Sequence, residues 1–133
     1  DQQWMFVADN NNNAVGGARR LYRFAFDVTT GAVDLASRTL LFDWGSGRGP
    51  DGMTQAESGV LYVAGGRTTA NHPDETIAAR PGGIYAFSVD GDWLGFAPIP
   101  SDEVTNCAIG GTNGTTLFAT AGGQLWSIPL PKE

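Results

Sequence analysis

The chain has 133 residues, 19 of them glycine, with eight basic and 14 acidic residues and a net charge of −6. Glycine at roughly twice its usual share of about 7% suits short strands and tight turns better than helices. The acidic balance and the single lysine, Lys132, argue against a nucleic-acid surface, and no run approaches the roughly 18 apolar residues of a membrane span.

In chain order, alternating large and small apolar residues predict a first strand over Trp4–Ala8. A polar loop follows at Asn10 to Asn13, then a strand over Leu21–Val28, a turn at Thr29-Thr-Gly31 and a strand over Arg38–Asp43. Arg19, Arg20 and Arg23 form the basic cluster of this stretch and read as a solvated strand edge. The second unit carries strands over Asp51–Ala56, Val60–Ala64, Ile84–Val89 and Trp93–Ile99, with a turn at Asp90-Gly-Asp92. The third carries Asn106–Gly110, Thr116–Thr120 and Leu125–Leu130. No window shows a sustained helical period, so no long helix is expected.

The strands repeat. Met5-Phe-Val-Ala-Asp9, Leu61-Tyr-Val-Ala-Gly65 and Leu117-Phe-Ala-Thr-Ala121 start at positions 5, 61 and 117, equally spaced. Units of up to four short strands with aromatic and glycine punctuation are the pattern of β-propeller blades. The expected fold is therefore all-β, with about three blades of four-stranded antiparallel sheets at residues 1–44, 50–100 and 105–130. Phe6, Val63, Phe87, Phe118 and Trp126 should pack between sheets. Counted this way, the units hold three, four and three strands, the first without an inner strand and the last without an outer one. A ring of three blades cannot close, so the missing blades are expected from upstream sequence or from another chain. A small complete barrel or sandwich is the rival arrangement.

Four features bear on chemistry. Asp51, in Gly49-Pro-Asp-Gly52, starts an innermost strand, where a carboxylate faces the axial channel and hard cations find oxygen; the plainer reading is a Pro-Asp-Gly turn. The long loop Gly66 to Gly82 joins second to third strands, so blade topology sets it on the Asp51 face together with Asp9 to Arg20. His72, the one histidine, lies on that loop, where an exposed side chain is the default. Cys107, the one cysteine, allows no internal disulfide and reads as a buried, inert thiol beside Asn106. Gly47 to Gly52 matches a phosphate-loop spacing, but a strand and not a helix follows it, which argues against a nucleotide.

Gly49-Pro-Asp-Gly-Met53, Gly59-Val-Leu-Tyr-Val-Ala64, Gly82-Gly-Ile-Tyr-Ala-Phe-Ser-Val-Asp-Gly91 and Thr105-Asn-Cys-Ala-Ile-Gly-Gly111 carry a resemblance over nearly the whole chain. With Thr116-Leu-Phe-Ala-Thr-Ala121 and Leu125-Trp-Ser-Ile128, they resemble the last blades of the gluconolactonase/regucalcin (senescence marker protein) family. The resemblance implies the C-terminal half of a six-bladed propeller that hydrolyses a sugar lactone or related cyclic ester with a divalent cation, calcium above other ions. It places on Asp51 both a metal-ligand role and the general-base role. The family's other ligands, a glutamate and an asparagine, would lie upstream of Asp1. Asn106 and His72 are retained as pocket candidates. The alternative is a non-catalytic propeller that binds a sugar or a protein through the same channel. The compartment is left open.

Overall fold

The computed structural model describes residues 3–131. Ten strands form three antiparallel sheets. The first sheet runs in the order β1 (Trp4–Asn10), β2 (Arg19–Phe26), β3 (Val33–Asp43). The second runs β4 (Pro50–Gln55), β5 (Leu61–Gly65), β6 (Gly83–Phe87), β7 (Trp93–Pro98). The third runs β8 (Val104–Gly110), β9 (Thr116–Ala121), β10 (Gln124–Pro129). The helical content among the described residues is one turn of 3-10 helix at Thr112–Gly114, and no helix is long and apolar enough to cross a membrane.

Strand order follows chain order within each sheet, and β4 packs against both β1 and β8. Three meanders whose leading strands converge are propeller blades, holding three, four and three strands as the repeat predicts. The rival closed barrel is not what forms.

The core lies between sheets. Between the first and second, Leu21, Leu41, Trp44, Leu61, Val63, Tyr85 and Phe87 are buried in one cluster, with Phe6 and Phe42 packed against it. Phe42 meets Trp44 edge-on with centroids 4.7 Å apart, and Phe87 at 4.9 Å, geometries that the ring quadrupoles favour. Phe87 is fully buried, which alone stabilises by about 1.5–3 kcal/mol relative to exposure. Between the second and third sheets, Ala64, Ile84, Ile99, Val104, Leu117 and Ala119 form a second cluster, against which Trp126 packs.

Three expectations need correction. Phe118 faces away from the second sheet: Leu117, Ala119 and Ala121 take the inner face of β9, so the period of two turns Phe118 outward, half-buried. β3 starts at Val33 and not Arg38. Its extra length is possible because the ladder is bulged opposite Arg23 to Ala25, and the Ser37 hydroxyl accepts the Ala25 N–H at 2.7 Å. The arginine cluster is not a solvated edge either, since β2 is the central strand of its sheet. Arg19 is buried and donates to the Asn12 side chain at 3.1 Å. Arg23 lies over the Trp4 ring and pairs with Asp90 at 2.5 Å. Arg20 alone stays exposed, paired with Asp43 at 2.8 Å.

Candidate functional site

The start of β4 is held from the first sheet. Pro50 can open a strand because its missing N–H is not needed there, and its carbonyl accepts from the Asn10 side chain at 2.6 Å. The Gly49 N–H donates to the buried Asn12 side-chain oxygen at 3.0 Å, the same oxygen that accepts from Arg19. An added Cβ on Gly49 would lie 2.9 Å from the Arg19 Cβ, so the chain passes here because residue 49 is glycine. Asn10 and Asn12 therefore do more than fill a polar loop: they fix the backbone that presents Asp51. Sequence reading missed them because their partners lie some forty positions away.

The β4–β5 ladder is irregular between Pro50 and Met53, so Asp51 and Gly52 sit in a bulge, the device that re-aims a side chain at a strand end. Among the described residues the Asp51 carboxylate has neither a hydrogen bond nor an ion pair. The residue as a whole is exposed, yet partial burial of its carboxyl group, reinforced by Glu103 and opposed by Arg48, pushes its pKa above the ordinary aspartate value. An unpaired carboxylate with raised proton affinity has the chemistry of a base or a hard-cation ligand.

Beside it lies a strip of paired charges. Glu103, just ahead of β8, receives Arg48 on one oxygen and Arg67 on the other, the latter at 3.2 Å. Arg48 also faces the fully buried Glu75 carboxylate at 3.6 Å, whose other oxygen accepts the Asn71 N–H at 2.5 Å. Asp102 accepts the N–H groups of Thr68 and Thr69 at 2.7 and 2.9 Å. Burial raises the Asp102 pKa, but these donors and Arg67 outweigh it, and the net shift is downward. The Gly66 N–H reaches the Arg48 carbonyl at 3.1 Å, and the Thr76 N–H reaches Ser46 at 3.1 Å. The loop from Gly66 to Gly82 thus lies on the Asp51 face, as blade topology predicts.

The pocket candidates divide. Asn106 packs on Gly52, next to Asp51: its side-chain oxygen lies 2.0 Å from where a Cβ on Gly52 would stand. That oxygen also accepts the Cys107 N–H at 2.8 Å. His72 is half-buried, and its hydrogen bonds, to Asn71 at 3.3 Å and to the Glu75 N–H through its carbonyl at 3.0 Å, stay within its own loop. Neither a hydrogen bond nor an ion pair joins it to Asp51 among the described residues. Cys107 is buried, its thiol directed at the Tyr62 carbonyl at 3.4 Å, and burial pushes its pKa up to about 11. It is no nucleophile at neutral pH.

Asp51 offers the hard oxygen that calcium takes, but calcium surrounds itself with about six to eight oxygens. Among the described residues no three acidic, histidine or cysteine side chains gather at one point. Asp51 fits such a cation as one ligand of several, and the others must come from elsewhere. A cavity of about 750 Å³, lined in part by Gln55, Tyr62, Ile109 and Leu130, opens at the opposite ends of β4 and β8.

Comparison with known proteins agrees with this architecture. The family model described as the SMP-30/gluconolactonase/LRE-like region matches residues 1–123. Pentonolactonase XacC of Haloferax volcanii is 31% identical over 106 residues, covering 80% of this chain and 32% of that protein. A gluconolactonase of Zymomonas mobilis is 37% identical over 93 residues, covering 64% of this chain and 22% of that protein. A solved structure of luciferin-regenerating enzyme superposes with a TM-score of 0.67 at 25% identity, covering 91% of this chain and 34% of that one. The chain spans about a third or less of the length of each of these relatives.

Proposed function

The chain belongs to the SMP-30/gluconolactonase/LRE-like family, and we propose that the whole protein hydrolyses a sugar lactone or a related cyclic ester, with Asp51 as the general base. The observation that carries this reading is the unpaired Asp51 carboxylate, raised in proton affinity, at the start of an inner strand. Two relatives named as lactonases support the reaction class.

In the reaction, water attacks the lactone carbonyl carbon while Asp51 accepts its proton. The ring C–O bond then breaks, the departing oxygen takes that proton back from Asp51, and an open hydroxy acid leaves. Asp51 would hold in part a divalent cation, calcium above other ions, which would supply positive charge to polarise the carbonyl. Asn10 and Asn12 hold the backbone on one side of Asp51, and Asn106 closes the other. Such fixed placement is what turns a carboxylate into a catalyst.

The test is turnover of a panel of five- and six-membered sugar lactones by the full-length protein, before and after chelation and calcium return. Loss on chelation with recovery on calcium supports the reading. Tight binding of sugars or proteins without turnover supports the non-catalytic alternative.

A further inference from the structure

Resting on that reading of Asp51, we propose that Arg67 and Glu103 are positioning residues that fix the loop 66–82 as one wall of the lactone pocket, so that this loop sets which ring is held at Asp51.

The inference starts from where the loop is tied. Arg67, its second residue, places Nη1 3.2 Å from Glu103 and Nη2 3.9 Å from Asp102. A guanidinium holds two acceptors in a fixed plane, which an ammonium does not. Asp102 then takes the next two backbone N–H groups, at Thr68 and Thr69, so three consecutive residues are locked to the front of β8. The far part of the loop is locked to the front of β4 instead. Thr76 meets Ser46 through both backbone and hydroxyl, the latter pair at 2.5 Å, and Glu75 faces Arg48.

Glu103 joins the two anchorages, because it binds Arg48 as well as Arg67. Arg48 is three positions from Asp51, and Glu103 is one of the two charges that act on the Asp51 carboxyl. One carboxylate therefore registers the loop against the same strand start that presents the reactive group. Arg67, Asp102 and Glu103 are each less than 30% exposed at the side chain, and partly buried charges of this kind are screened less by water than surface pairs. A loop of this length without regular structure commonly serves as a binding rim, and here both its parts are tied to the strand starts beside Asp51.

The test uses the full-length protein with lactones of different ring size. Arg67→Met should raise KM by about tenfold, below the roughly 100-fold cost of a 1 Å misplacement, while kcat stays within about twofold. It should narrow the preference between ring sizes and speed amide exchange at Thr68 and Thr69. Arg67→Lys, which keeps charge without the planar fork, should fall between. A merely structural role would lower kcat through the active fraction and leave KM alone; that result overturns the inference, as does faster exchange with unchanged KM and ring preference. If Arg67→Met does not fold, Glu103→Gln is the second variant, with the same expected rise in KM. Wild-type turnover decides the function separately: if it is absent, the lactonase reading fails, and the same variants are scored by calorimetric affinity for the open hydroxy acid, where no change overturns the loop assignment.

Discussion

Asn106 stands where a side chain on Gly52 would be: its Oδ1 lies 2.0 Å and its Cα 2.8 Å from the Cβ position that Gly52 lacks. The inner strands of neighbouring sheets approach this closely only because residue 52 has no side chain. The contact sits one residue from Asp51, so packing between blades and placement of the carboxylate are one problem.

Gly52→Ala is therefore expected to destabilise by about 1–3 kcal/mol, the usual cost of overpacking, and to reduce turnover more than stability alone explains. Gly95→Ala is the control. It has open space around its Cβ position and should be close to neutral. Denaturant unfolding of both variants measures the difference.

Asn12 is buried, and one side-chain oxygen serves both the Arg19 guanidinium and the Gly49 N–H. Asn12→Ala leaves two buried donors without a partner, at a cost of about 1–3 kcal/mol for an unsatisfied group and more where it is charged. The loss should exceed that of Asn10→Ala, whose single bond to Pro50 is only partly buried. Thermal melts of the two variants give the ranking.

Acid should release the long loop at its Asp102 end. The folded pKa of Asp102 is lowered, so its contribution is present above the unfolded value of about 3.9. It is lost as pH falls through the lower, folded value. Amide exchange at Thr68 and Thr69 should accelerate below that point ahead of exchange in β5 and β6. Asp102→Asn should show the accelerated exchange at neutral pH.

Much of this was legible in the amino-acid sequence, because strands announce themselves when apolar residues alternate. Leu61 to Gly65 and Ile84 to Phe87 did so, and the equal spacing of their counterparts revealed the blades. The first half of β3 did not, since Ser37 breaks the alternation that Val33-Asp-Leu35 begins, and a side-chain bond at the bulge replaces the missing ladder bond. Arg19 read as a surface charge because its partners, Asn12 and the Gly45 carbonyl, are supplied by loops. Asp51 stood out through the family resemblance around its Pro-Asp-Gly context, but the side chains that fix its backbone did not. Glu103 and Arg67 are 36 positions apart, and a local reading has no signal for a pair so distant.

The most direct test of the account is Asp51→Asn in the full-length protein, assayed on a lactone that the wild type hydrolyses. Asparagine keeps size and one carbonyl oxygen while removing the proton acceptor and the charge. Turnover should fall by at least about 10², the low end for one acid–base group. The thermal midpoint should not fall, because the environment of Asp51 disfavours its charge. Near-normal turnover by a folded Asp51→Asn protein would contradict the account and leave Asp51 as a turn residue.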